Sequence, residues 1–411
     1  MTRELLTGNA AAAWGARLAE VDYIPVYPIT PQTEVIEALA QWVAGGDLPA
    51  RLVTMDSEHS MLTAAGAAAA TGARVFTASS SQGLVYGLEM LYTIAGWRVP
   101  LVLLNVSRAL SAPITLEPDH NDVLAARDSG FLQIHAESCQ EVLDSVLMAY
   151  RLSEHPDVLL PVLVNLDGFY LSFTREPVEL PAVEEVREFL PAYKPARGFS
   201  ASHALAQGVV VLGGTGYSFF KYQMQRAAEA ALTVHDAIAG EFCRRFGRCY
   251  GAVEGYRLDD ADWVIVMSNS FSTVGKDEVA RLRARGEKVG LLRLRLIRPF
   301  PDQEIEWLLG DRRAVAVIDQ NISIGKGGIL FSEVASALRG RTPPPLLSFI
   351  GGLGGRRFRS EEFDTIMAAL HAAENDGGSV EPTLLYSEAE YRQMMEMLRV
   401  AQHGAASTVE L

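Results

Sequence analysis

One pattern repeats four times in the first 110 residues and constrains the fold more than any other feature. A short apolar run rich in β-branched residues ends in a polar island, and a helical stretch follows. The runs are Tyr23-Ile24-Pro25-Val26, Leu52-Val53-Thr54-Met55, residues 74–78 and Val99-Pro100-Leu101-Val102-Leu103-Leu104. Their islands are Tyr27-Pro28-Ile29-Thr30-Pro31-Gln32-Thr33, Asp56-Ser57-Glu58-His59-Ser60, Ser79-Ser80-Ser81-Gln82-Gly83 and Asn105-Val106-Ser107-Arg108. Short apolar runs alternating with helices read as parallel strands covered on both faces. In such sheets ligands bind beyond the carboxyl ends of the strands. The pattern therefore predicts that Thr30, Glu58, Ser81, Gln82 and Arg108 line one edge.

Taken in order, the chain opens with an alanine-rich helix over residues 10–19, with Asn9 as its N-cap. Pro31 falls in the first turn of a second helix, continued over 34–43. The next helix, 60–70, is almost wholly Ala, Met, Leu and Gly and must be buried. A helix over 83–94 follows the serine-rich turn. The polar loop after Arg108 is long for an α/β connection, and ordered loops of that length are often functional. A helix over 122–128, a strand over 131–134, a helix over 140–154 and a strand over 159–166 complete six strand–helix units, one doubly wound domain. Prolines 177, 181, 191 and 195 mark a wrapping linker. The glycines at 213–216 lack the spacing and strand context of a phosphate loop. A helix over 222–246 leads to a second α/β domain beginning near Ala261. Its strands are expected over 263–267, 289–294, 315–319 and, last, 346–350. The tail beyond Gln402 is small and polar, and reads as frayed.

Composition excludes several classes. Thirty-six basic against 50 acidic side chains give a formal charge of −14, which argues against a nucleic-acid or anionic-membrane partner. No apolar run approaches the roughly 18 residues of a membrane span, and the N-terminus does not read as a signal peptide, so the cytoplasm is the expected compartment. The three cysteines, Cys139, Cys243 and Cys249, fit neither a disulfide scaffold nor an iron–sulfur cluster. Cys243 and Cys249 read as separate thiols in a reducing compartment. No metal-ligand set is expected in the chain.

The islands supply an acid, a cation and a hydroxyl. A glutamate at a strand end, such as Glu58, is usually a solvated or helix-capping residue. Arg108, just after a buried strand, suits a carboxylate ligand through paired hydrogen bonds. Its alternative is a structural ion pair with Glu117, Asp119 or Asp122. Thr30 alone is a turn residue or a cap. Together they suit a small anionic substrate and a heterocycle that needs a proton partner.

The islands also resemble the alpha subunit of the pyruvate:ferredoxin oxidoreductase (2-oxoacid:acceptor oxidoreductase) family. The resemblance rests on Tyr27-Pro28-Ile29-Thr30-Pro31, Ser57-Glu58-His59-Ser60, Ser80-Ser81-Gln82-Gly83-Leu84 and Arg108-Ala109-Leu110-Ser111-Ala112-Pro113. It extends through Asp119-His120-Asn121-Asp122, Ala126-Arg127-Asp128-Ser129-Gly130, Val164-Asn165-Leu166-Asp167-Gly168-Phe169, Leu296-Ile297-Arg298-Pro299-Phe300-Pro301 and Asp319-Gln320-Asn321-Ile322-Ser323-Ile324-Gly325. It implies a doubly wound pyrimidine-binding domain for thiamine diphosphate over residues 1–175 and a linker with a connecting helix over 176–255. A transketolase C-terminal-like α/β domain over 256–400 and a tail over 401–411 follow.

The implied activity is oxidative decarboxylation of a 2-oxo acid, by default pyruvate, to an acyl-coenzyme A, with electrons passed to ferredoxin. The implied cofactor is thiamine diphosphate shared with a beta subunit. Mg2+ and [4Fe-4S] clusters reside on partner subunits, and coenzyme A is co-substrate. Beta, gamma and ferredoxin-like delta subunits are the implied partners, in a dimer of the heteromer. Glu58 matches the glutamate that pairs with the pyrimidine nitrogen, Arg108 the arginine on the substrate carboxylate and Thr30 the threonine beside it. Ser81 and Gln82 match the pyrimidine pocket. Leu116-Glu117-Pro118 departs from the more polar or aromatic residues expected before the Asp-His pair. That leaves branched-chain or aryl 2-oxo acids, such as phenylglyoxylate, as alternative substrates. Thr30 argues against a dicarboxylate, which would want a second cation there. A scaffold subunit with a decayed site would have lost Glu58 or Arg108. A self-sufficient thiamine enzyme would carry a Gly-Asp-Gly motif with a downstream Asn, which this sequence lacks.

Overall fold

A computed structural model describes residues 2–195, 199, 202, 204, 206–339 and 343–404. Five strands form the first sheet in the order Leu296–Arg298, Leu132–His135, Val162–Asp167, Val102–Ser107, Phe76–Ser79. Four of them are parallel, and only Leu296–Arg298 is antiparallel to its neighbour. Strands Tyr23–Val26 and Arg51–Thr54 pair in parallel, and a parallel bridge from Tyr23 to Val75 brings them to the same sheet. The carboxyl ends of the parallel strands therefore share one edge. The central strands are buried along their whole length, which explains their unbroken apolar character.

The second sheet runs Ser379–Leu384, Leu346–Ile350, Ala314–Asp319, Trp263–Ser268, Val289–Leu294, Val253–Tyr256, with only the last strand antiparallel. One apolar core runs between the two units, from Met61, Leu103 and Phe131 to Val264, Leu292 and Ile305. Charge crosses the same junction. Arg293 and Arg295, at the end of Val289–Leu294 and just beyond it, meet Glu141 of helix Cys139–Ser153 at 3.0 and 2.6 Å, all three buried. Among the described residues no helix is long and apolar enough to cross a membrane.

Several elements differ from the sequence reading. The first helix, Gly8–Leu18, is capped by Thr7, whose Oγ1 accepts from the Ala10 N–H, and not by Asn9. Asn9 is buried and its Nδ2 donates to the Pro31 carbonyl at 2.8 Å. Helix Thr33–Gly45 begins after Pro31 rather than with it. The expected helix over 83–94 is two, Ser81–Tyr86 and Leu88–Trp97, parted at Gly87, where a Cβ would overlap Leu62 of the buried helix Glu58–Ala70. The helix expected over 122–128 is Asn121–Ala125.

The stretch read as a wrapping linker is partly ordered. Arg175–Leu180 pairs antiparallel with Thr2–Thr7, and helix Val183–Phe189 buries Val186 and Phe189. Strand Leu346–Ile350 is not the last; Ser379–Leu384 pairs with it. Cys243 and Cys249 are not separate thiols but a disulfide. The left-handed Gly247 ends helix Gly214–Phe246 and turns the chain back, bringing the two Cα atoms within 4.5 Å. The glycines at 213–216 open that long helix instead of forming a separate loop. Of the tail, helix Glu388–Gly404 includes its first residues, while 405–411 lie outside the described residues.

Candidate active site

Each island sits where a strand ends. Asn9 holds the Pro31 carbonyl, and Gln32 Nε2 donates to the Tyr27 carbonyl at 2.9 Å, which folds the Tyr27–Thr33 island into a fixed turn. Thr30 is exposed at its tip. Glu58 opens helix Glu58–Ala70, whose N-cap Ser57 accepts from the Ser60 N–H. A carboxylate is favoured at that helix end by the dipole. Yet Glu58 is only 7% exposed, and among the described residues no group in the chain hydrogen-bonds its carboxyl. The side chain lies against Gly83, where any Cβ would overlap Glu58 Oε1 and Ser79 Oγ. The residue is buried but its carboxyl oxygens are not sealed off, so a ligand donor can reach an acceptor that the chain leaves unused.

Ser81, the first residue of its short helix, has φ +50, a left-handed conformation that a side-chain-bearing residue adopts only when its surroundings enforce it. Its Oγ lies 2.6 Å from Gln82 Oε1 and 2.9 Å from the Ala109 carbonyl. Gln82 Nε2 donates to Ser111 Oγ at 2.7 Å.

Arg108, 8% exposed, is not in a structural ion pair with Glu117, Asp119 or Asp122. Nη1 donates to the Thr30 carbonyl at 2.8 Å and Nη2 to Gln82 Oε1 at 2.6 Å. Burial pulls its pKa down, and the charge of Asp122 acts against that pull. An arginine has five N–H groups. Two are used here and Nε is buried without a partner, so one N–H on each terminal nitrogen is unused. The structure thus brings Thr30, Ser81, Gln82 and Arg108 into one hydrogen-bonded group, with Glu58 across Gly83 from Gln82. Thr30 joins that group through its carbonyl, which leaves its hydroxyl outside the group.

Beside this group lies a network that sequence reasoning did not single out. His120 Nε2 and Asp167 Oδ1 stand 2.9 Å apart, fully buried. Burial lowers the His120 pKa, but Asp167, with Asp119 and Asp122 behind it, leaves the pKa raised; Asp167 is correspondingly held low by His120 against its own burial. From the second unit, Asn269 Nδ2 and the Ser270 N–H donate to Asp167 at 3.1 and 2.9 Å. The signal was present as Asp119-His120-Asn121-Asp122, a polar run too long for a simple turn.

Comparison with known proteins adds to this geometry. Residues 14–239 match the family model "Pyruvate flavodoxin/ferredoxin oxidoreductase, thiamine diP-bdg". The chain belongs to this family. Residues 261–363 match pyruvate:ferredoxin oxidoreductase core domain II. Pyruvate synthase subunit PorA of Methanocaldococcus jannaschii is 45% identical over 377 residues, 91% of this chain and 96% of the relative. Ketoisovalerate oxidoreductase subunit VorA of Pyrococcus horikoshii is 40% identical over 367 residues, 89% of this chain and 92% of the relative. A solved 2-oxoglutarate:ferredoxin oxidoreductase from Magnetococcus marinus superposes with a TM-score of 0.70 at 19% identity. It covers 90% of this chain but only 65% of that longer one, and shows likeness of fold. A split-gene transketolase aligns with a TM-score of 0.51 at 12% identity. The mixed α/β architecture with parallel sheets agrees with the family expected from sequence, as does the thiamine-binding character of its first region.

Proposed function

We propose that this chain is the alpha subunit of a multisubunit 2-oxoacid:ferredoxin oxidoreductase that converts pyruvate and coenzyme A to acetyl-coenzyme A, carbon dioxide and reduced ferredoxin. The observation that carries the reading is the Glu58 carboxyl, on a residue only 7% exposed, without a hydrogen bond from the described chain and lying against Gly83, next to the Gln82 that Arg108 holds. The residues present fit the pyrimidine half of thiamine diphosphate. When bound, that cofactor supplies the electron sink for decarboxylation.

The protein residues then hold, orient and move protons. Glu58 would hydrogen-bond the ring nitrogen of the pyrimidine, where a carboxyl would favour the imino tautomer of the exocyclic amine. Ser81 and Gln82 wall the same pocket. Arg108 turns its two free terminal N–H groups toward the substrate carboxylate, while Thr30 and Gln82 fix the guanidinium plane. The diphosphate, its Mg2+ and the [4Fe-4S] clusters fall to beta and delta subunits, and a gamma subunit completes the heteromer, in a cytoplasmic dimer of heteromers. Residues 1–175 form the pyrimidine-binding part and 256–400 the transketolase-like part. Ketoisovalerate is the second substrate reading, favoured by the VorA relatives at 40% identity.

Glu58→Gln in the reconstituted complex tests the assignment. It keeps the shape and removes the acid, so cofactor binding should persist. The exchange of the C2 proton of bound cofactor into deuterated water should slow by at least about a hundredfold, within the usual range for proton-transfer groups. Exchange at the parent rate would return Glu58 to a capping role.

A further inference from the structure

Asp122 stands behind the Arg108 group and touches none of its free donors. Its carboxyl is fully buried and receives five hydrogen bonds. On Oδ2 these come from the Ser81 N–H at 3.0 Å, the Arg108 N–H at 3.2 Å and Asn105 Nδ2 at 3.1 Å. On Oδ1 they come from Ser107 Oγ at 2.6 Å and the Val123 N–H at 2.7 Å. Four of the five partners are N–H groups that can only donate, and the fifth, the Ser107 hydroxyl, also lies 2.8 Å from the Asp119 carbonyl; a carboxylate, which accepts on both oxygens, suits this setting.

The bonds also close a ring. Asp122 holds the Arg108 backbone, Arg108 Nη2 reaches Gln82 Oε1, Ser81 Oγ meets the same oxygen, and the Ser81 N–H returns to Asp122. Both ends of Arg108 are thereby tied to one carboxylate, and so is the left-handed turn at Ser81.

We propose that Asp122 is a positioning residue that sets the Arg108 guanidinium at its distance from the Ser81–Gln82 turn, and so acts on the 2-oxo acid through Arg108. This rests on the reading of Arg108 as the carboxylate ligand. In Asp122→Asn one of the two acceptor oxygens becomes an N–H donor and the charge is lost, so the amide cannot serve both the Oδ2 donors and the Val123 N–H, and the hold on the ring weakens. Ser107→Ala removes the hydroxyl from the far oxygen, and with it the contact to the Asp119 carbonyl, and leaves the bonds of the ring in place.

The test is a double-mutant cycle in the reconstituted complex, read as KM for pyruvate, with thermal unfolding and thiamine diphosphate binding measured beside it. Asp122→Asn should raise KM about tenfold and Ser107→Ala about threefold, in line with one strong and one ordinary hydrogen bond. In an Arg108→Ala background both effects should shrink below about twofold, since residues acting through one another are not additive. Full additivity in that background, or a folded Ser107→Ala with the parent KM, overturns the proposal. If Arg108→Ala alone keeps the parent KM, the carboxylate reading itself has failed and this proposal falls with it. If Asp122→Asn does not fold, Ser107→Ala decides alone.

Discussion

Arg108→Lys separates a charge from a fork. The guanidinium spends one N–H on the Thr30 carbonyl at 2.8 Å and one on Gln82 Oε1 at 2.6 Å, which leaves one on each terminal nitrogen for the substrate contact proposed above. A lysine ammonium carries the same charge on a single point and cannot hold both walls and a carboxylate in one plane. One of the two substrate bonds is lost. A hydrogen bond to a charged group is worth about 1.5–3 kcal/mol, and 1.4 kcal/mol is tenfold. The expected rise in KM for pyruvate is therefore about tenfold to about 140-fold. Arg108→Ala should be worse, since the Gln82 oxygen and Thr30 carbonyl also lose their donor. The assay is initial-rate pyruvate oxidation by the reconstituted complex with coenzyme A and a dye acceptor, alongside a titration of thiamine diphosphate binding. Cofactor affinity should change little, because neither of the arginine's terminal nitrogens touches Glu58. An unaltered KM in both variants would refute the reasoning and leave Arg108 as a brace between two loops.

Gly83→Ala pushes a methyl into Glu58 Oε1 and Ser79 Oγ. Misplacing the acid by that much should cost about a hundredfold in kcat, with the melting temperature reporting any wider damage. Glu141→Ala leaves Arg295 buried without its carboxylate, while Arg293 keeps Glu254 and Glu137, and should destabilise the fold by about 3–5 kcal/mol in denaturant titration. The His120 pKa is raised by Asp167 over its usual 6.5, so its contribution to stability is full below about pH 6.5 and is lost as pH rises through the folded value. Asp167→Asn should remove that alkaline loss from a plot of melting temperature against pH. The chain purified without partners should show no iron–sulfur absorption and no turnover, since Cys139 is buried and Cys243 and Cys249 are joined to each other.

The strands of the first sheet could be read from sequence because both faces are covered. Phe76–Ser79, Val102–Ser107 and Val162–Asp167 carry apolar residues on each side, and turn residues stop them abruptly. The strands that escaped notice lack that signature. Thr2–Thr7 and Ser379–Leu384 are largely or wholly exposed, and the latter contains Pro382. Each exists as a strand because of a partner elsewhere in the chain, Arg175–Leu180 in one case and Leu346–Ile350 in the other. Leu296–Arg298 is three residues that leave the second unit to pair with Leu132–His135 of the first. Pairings across such separations leave no local mark. The Cys243–Cys249 disulfide was misread because composition speaks for a compartment, while a left-handed glycine at 247 decides proximity.

The candidate site divides along the same line. Its residue types could be named from the islands, since strand ends are where side chains of a parallel sheet meet ligands. What they bond to could not. Thr30 offers Arg108 a carbonyl, and any residue has one. Asp122 was weighed only as an ion-pair partner for Arg108, yet its carboxylate holds backbone N–H groups of two islands at once. The loop between Arg108 and Asp122 is closed by the Ala109 N–H on the Glu117 carbonyl and docked on the second unit by the Gly355 N–H on the Pro118 carbonyl. Tyr170 adds a hydrogen bond from its hydroxyl to the Gly355 carbonyl at 2.6 Å. Gly355 has φ +73, and a Cβ there would press on Glu117. A residue 247 positions from Arg108 therefore shapes the loop that borders Arg108, and it does so through backbone groups that no motif records. The second unit contributes to this site by fixing a loop, and only a structure can show that kind of contribution.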